Sequence, residues 1–168
     1  SADGEGAEAE SAVLALGRHT AAAIPATGPE PRVVGLIPGK DAGLVETSVR
    51  YLTNHVLLNL RLFISHENIL NLTRRTEAVL AQYGQGAQKT HLLLVRYPDA
   101  AEAGDTYQKF LAAYLPEAGG KDRRMTADRR WTIARQRNEF VLVVVGAPTE
   151  SDGEKLLQAT EDRLRSGR

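Results

Sequence analysis

The chain contains no cysteine, which excludes disulfides, thiol catalysis, Cys-x-x-Cys redox chemistry and thiolate metal sites together. It leaves the compartment open, because disulfide-free proteins occur on both sides of a membrane. Net charge is missing as well. The 21 Lys plus Arg balance 21 Asp plus Glu, so overall charge gives no reason to expect a nucleic-acid partner, and only a local patch could act on polyanions. No apolar run approaches the ~20 residues that cross a bilayer. No signal-peptide pattern is visible either. The chain starts at Ser1-Ala2-Asp3, as expected of a processed or trimmed form, and a leader removed ahead of Ser1 would leave no trace.

What is present is ordinary for a globular domain. The 168 residues are 42% hydrophobic and 25% charged, the size of one domain or of one domain with an extension. Such a chain buries roughly 70% of its unfolded surface, so it needs no metal or disulfide staple.

The strongest pattern is an internal echo. Thr90–Pro98 and Phe140–Pro148 each read as an apolar strand that ends at Pro and leads into an amphipathic helix. Each follows a more polar strand, Glu77–Tyr83 and Trp131–Arg137, and Gly84-Gln85-Gly86 supplies the first hairpin connection. Asp99 with Glu102, and Thr149 with Asp152, stand as helix caps at matching offsets. Tyr107, Phe110, Leu111, Tyr114 and Leu115 form one helical stripe, and Leu156, Leu157, Thr160 and Leu164 form the other. Pro116 stops the first helix. These features predict an α+β fold: a four-stranded antiparallel sheet from a duplicated strand–strand–helix unit, pseudo-repeat 77–116 and 131–165. Its two helices are expected on one face, as a sandwich related to ferredoxin-like folds. The runs Leu92–Val95 and Val141–Val145 are apolar at every position, so the other face also needs a cover.

The rest of the chain is available for that. Residues 1–32 read as a mobile acidic start, a helix from about Glu8 ended by Pro25, and a linker with Gly28, Pro29 and Pro31. Residues 33–168 read as a single domain. Leu44–Leu52 alternates in the manner of a strand. Leu58, Leu60, Leu62 and Ile64 also alternate, and a strand is expected there, although a helix fits Val56, Leu57, Leu60 and Phe63-Ile64. Pro38-Gly39-Lys40-Asp41 reads as a turn; it lacks the glycine spacing and the Ser/Thr of a phosphate loop.

Candidate chemistry is sparse. His19, His55, His66 and His91 fall on four separate elements without metal-ligand spacing, so no metal and no cofactor is expected. Ser65-His66-Glu67-Asn68 lacks a nucleophile elbow and reads as a polar loop. Asn71-Leu72-Thr73 matches a glycosylation sequon and carries little. The basic stretch 121–137 holds Lys121, Arg123, Arg124, Arg129, Arg130, Arg135 and Arg137 against Asp122 and Asp128. Arg123, Arg124, Arg129, Arg130 and Trp131 are therefore candidates for binding phosphates or stacking bases. The competing reading is a charged hairpin edge that discourages strand-to-strand aggregation.

Gly43-Leu-Val-Glu-Thr-Ser-Val-Arg-Tyr51, Asn68-Ile-Leu-Asn-Leu72 with Glu77-Ala-Val-Leu-Ala81, and Leu92-Leu-Leu-Val-Arg-Tyr-Pro98 resemble an uncharacterised bacterial family of predicted exported proteins, a domain of unknown function. The resemblance spans residues 33–116 and would place this chain in the C-terminal part of longer members. It implies a periplasmic or cell-envelope setting and, as a partner, another domain of a longer parent protein. It brings no activity and no catalytic residues. The function expected from all of this is a non-catalytic binding or structural module. Anion or nucleic-acid binding through 121–137 is the first alternative, and a hydrolase or transferase built from dispersed residues is the second.

Overall fold

Strands that are apolar at consecutive positions need cover on both sides, and the structure supplies it. It is a computed structural model that describes residues 30–116 and 122–167. The expected N-terminal helix, His19 and Lys121 lie outside the described residues. The chain divides at Glu30/Pro31, and Pro31–Arg168 is the unit described.

Six strands form one antiparallel sheet: β1 (Arg50–Leu52), β2 (Glu77–Tyr83), β3 (Thr90–Arg96), β4 (Arg123–Met125), β5 (Trp131–Arg137) and β6 (Phe140–Ala147). Their order across the sheet is β1-β2-β3-β6-β5-β4. The two hairpins therefore join through β3 and β6, with Leu93 opposite Val143 and Leu92 opposite Val144. Both edges are three-residue strands, which leaves little unpaired backbone to template aggregation.

The helices are α1 (His55–Asn59), α2 (Ala100–Tyr114) and α3 (Glu150–Ser166). Side chains alternate across a strand, so the two core clusters can be assigned to faces. Leu93, Val95, Val141 and Val143 pack with Phe110 and Leu111 of α2. Leu92, Leu94, Leu142 and Val144 pack with Leu156, Leu157 and Leu164 of α3. The helices thus lie on opposite faces, each chiefly over β5 and β6. This corrects the expectation of four strands with both helices on one side. The two hairpin–helix segments share an order along the chain, yet superposing one hairpin on the other would put its helix on the wrong face. Runs that are apolar at every position, Leu92–Val95 and Val141–Val145, offer both faces alike, so the pattern does not distinguish the expected one-face placement from the observed one.

The 33–72 segment covers β2 and β3 on both sides. Val33 and Ile37 close the α3 face. Leu52, Leu58, Ile64, Leu70 and Leu72 close the α2 face. A buried tyrosine pins each part: Tyr83 Oη donates to the Pro38 carbonyl at 2.8 Å, and Tyr97 Oη donates to the Leu70 carbonyl at 2.7 Å.

Two expected strands in this segment are corrected. Of Leu44–Leu52, only Arg50–Leu52 is a strand. A 3₁₀ turn at Glu46–Ser48 interrupts the alternation, closed by the Ser48 hydroxyl donating to the Val45 carbonyl. The 58–64 region begins as α1, because Asn54 Oδ1 accepts the Val56 N–H at 2.7 Å and caps it. A loop then follows. Both long helices carry the expected caps: Asp99 accepts from Glu102 N–H at 2.8 Å, and Thr149 accepts from Asp152 N–H at 3.1 Å. Glu102 does not complete a capping box; its carboxylate meets Asn71 and Arg75 instead.

Candidate functional site

The described part of the basic stretch, 122–137, supplies β4, a turn and β5, and most of its charge is used there. On β5, Ile133, Arg135 and Arg137 alternate onto the α3 face, where Glu150, Glu154 and Glu161 wait at helical spacing. Arg123 lies 2.7 Å from Glu150 and 3.0 Å from Glu154. Arg135 contacts Glu154 at 2.7 Å and Glu161 at 3.1 Å. Arg137 reaches Glu161 at 3.1 Å. Glu161 is only 3% exposed, and the charge-assisted hydrogen bonds among these pairs, Arg123 to Glu150 and Arg135 to Glu154 and Glu161, tie the outer strands to α3. Hydrogen bonds that Arg123 donates to Asp122 and Glu150 hold its guanidinium even more firmly charged than usual.

Arg130 is spent differently. Its guanidinium donates to the carbonyls of Gly146, Ala87 and Lys89, stapling the β2–β3 connection to the end of β6. Trp131 is partly buried against the α3-side core. Arg124 is half-buried on the edge strand. Arg129 is exposed in a turn at φ 60°. The five candidate residues therefore do not converge on one surface of unpaired cations.

A different group does converge. On the α2 face, beyond the core, Arg50 stands opposite Leu80, while Gln82 stands opposite His91. With Ser48, Leu60, Arg61 and Lys89 they line a cleft of about 260 Å³. Each residue is placed by local structure. Ser48 ends the 3₁₀ turn, and its hydroxyl accepts the Gln82 N–H at 2.8 Å. Lys89 closes the turn before β3. Arg61 is carried by the loop after α1, where the Asn59 amide donates to Ser65 carbonyl at 2.7 Å and accepts from Ile64 N–H at 3.0 Å.

The electrostatics of this cleft have one sign. Arg50, Arg61, Lys89 and His91 line it and no carboxylate does. Arg50 spends part of its guanidinium on the carbonyls of Thr47 and Val49. Among the described residues, the side chains of Arg61 and Lys89 meet no partner. Burial, and then the charge of Lys89, hold the His91 imidazole below its usual pKa. Three larger depressions mix both signs instead, and one of about 440 Å³ is lined by Arg32, Arg96 and Glu139. One of about 430 Å³ is lined by Asp41, Asp152 and Lys155, and one of about 500 Å³ by Asp41, Asp162 and Arg163.

Sequence reasoning missed this cleft because its four basic residues come from four elements and form no run. The signal that could have found it is negative: Thr47–His66 contains no Asp or Glu. His66 packs edge-on against Phe63, ring centroids 5.1 Å apart, and Ser65 Oγ accepts the Glu67 N–H at 3.1 Å. Ser65-His66-Glu67 is thus a local turn, and neither His55, His66 nor Glu67 reaches the cleft. Among the described residues no group of three or more His, Asp or Glu could hold a metal ion, and no helix is long and apolar enough to cross a membrane. Asn71, of the sequon, adopts φ 47°. No protein-family model, curated protein or solved structure matches the chain.

Proposed function

We propose that this protein is a non-catalytic binding module whose ligand presents a compact anionic group, a phosphate or carboxylate, to the Arg50–Arg61–Lys89–His91 cleft. The observation that carries this reading is four basic side chains facing one concavity without an acid among them. Cations left unpaired while carboxylates elsewhere find arginines give the cleft a positive potential, and a concave wall focuses it. Ser48 and Gln82 add polar groups at the rim. The resemblance to exported proteins supports a cell-envelope setting and a further domain as partner.

Isothermal titration with glycerol phosphate at low salt tests the reading. Arg61→Glu and Lys89→Glu should each weaken binding by about tenfold, a loss of ~1.4 kcal/mol. Arg129→Glu, on the rival basic stretch, should leave it unchanged. The reverse pattern, with only Arg129→Glu losing affinity, would return the anion site to 121–137.

A further inference from the structure

Six large apolar side chains are exposed among the described residues, and four of them fall within eight positions. Val56 is 54% exposed, Leu57 47%, Leu60 74% and Phe63 57%. Scattered apolar residues on a surface need no explanation, but a contiguous group does. This group is held outward by construction. Leu58, 1% exposed, is the single residue of α1 that enters the core. Asn59, at the end of α1, bonds to Ser65 and Ile64 and so ties the far end of the 60–64 loop back to the helix, with Leu60 and Phe63 exposed on the turn between.

The patch continues into the cationic cleft through Leu60 and Arg61. The surrounding segment Thr47–His66 carries Arg50, Arg61, His55 and His66 and no acid, in a chain that is 25% charged. Apolar side chains beside unpaired cations match a lipid interface, where the acyl boundary takes the first and headgroup phosphates take the second. We infer that the α1 loop and the cleft dock this protein on an anionic lipid surface, with Leu60 and Phe63 inserted and a lipid phosphate among Arg50, Arg61 and Lys89. This rests on the cleft reading and names the source of its anion. A second copy of the chain fits less well. A two-fold contact through the same patch would set Arg50, Arg61 and Lys89 against their own counterparts.

Flotation of the 168-residue chain with phosphatidylcholine vesicles, plain or doped with phosphatidylglycerol, tests the inference beside the glycerol phosphate titration. Partition onto doped vesicles should exceed that onto plain ones by about tenfold and fall about fivefold for each cation removed. The double variant Leu57→Ser, Phe63→Ser should lose most of its flotation while still binding glycerol phosphate, since both side chains are exposed and neither lines the cleft. Arg61→Glu should lose both. Glycerol phosphate binding without flotation would overturn the membrane inference and leave the cleft standing. Absence of both would overturn the two together. Self-association in the ultracentrifuge, abolished by the double variant, would assign the patch to a second copy and overturn the inference.

Discussion

At the scale of single residues, two buried groups control distinct properties. Tyr97 Oη meets the Leu70 carbonyl inside the α2-side core, and burial pushes its phenol pKa well above the ordinary value. Tyr97→Phe keeps the ring and leaves that carbonyl without its partner, so stability should fall by about 1–3 kcal/mol in urea unfolding. An unchanged midpoint would mean that 53–72 is held by apolar contact alone. His91 sets a pH dependence. Its pKa is depressed in the fold, so as pH falls the unfolded chain takes up a proton first. Stability conferred by the neutral imidazole is complete above the usual histidine value of about 6.5 and is lost as pH falls through the lower folded value. Anion binding should run the opposite way. A bound anion beside Arg50, Arg61 and Lys89 favours the imidazolium, so sulfate, whose charge is constant in this range, should bind more tightly as pH falls and His91 takes up its proton. His91→Asn should flatten both profiles.

At the scale of elements, α3 shows how closely a helix can approach this sheet. A Cβ on Gly153 would lie 2.7 Å from Ile133 Cδ1 and 3.3 Å from Ala147 Cβ. Alanine improves helix propensity by about 1 kcal/mol, but the overlap should cost more, and Gly153→Ala should destabilise by about 1–2 kcal/mol net. A rise in melting temperature would mean that α3 sits further from β5 than described. Thr149→Ala, by contrast, removes only the α3 cap and should cost about 1 kcal/mol. The elements with strong local signals were readable. Glu77–Tyr83 and Trp131–Arg137 have the expected strand bounds, and both proline-preceded helices start at the expected caps. Residues 44–64 were not, because Ser48, Asn54 and Asn59 act through side-chain bonds to backbone. Such bonds override an apolar alternation that otherwise fits a strand.

At the scale of the whole molecule, the order of the two hairpins and their helices was visible and the faces of those helices were not. Leu92–Val95 told that two covers were needed, without telling which helix took which side. The charges followed the same rule. Arg123, Arg130, Arg135 and Arg137 drew attention as a run, yet each has structural partners, whereas Arg61 and Lys89 drew none and stand unpaired among the described residues. Sequence proximity does not show which cations are neutralised, because the partners that neutralise a charge come from distant segments. The fold thus separates arginines that build the sheet edge from those that line a cleft.

The central claim is that this cleft receives an anion, and amide chemical-shift mapping with inorganic phosphate at low salt tests it most directly. Saturable shifts confined to Ser48, Arg50, Arg61, Gln82, Lys89 and His91 are the predicted result. Shifts confined to 123–131, or none at any of these positions, would contradict it.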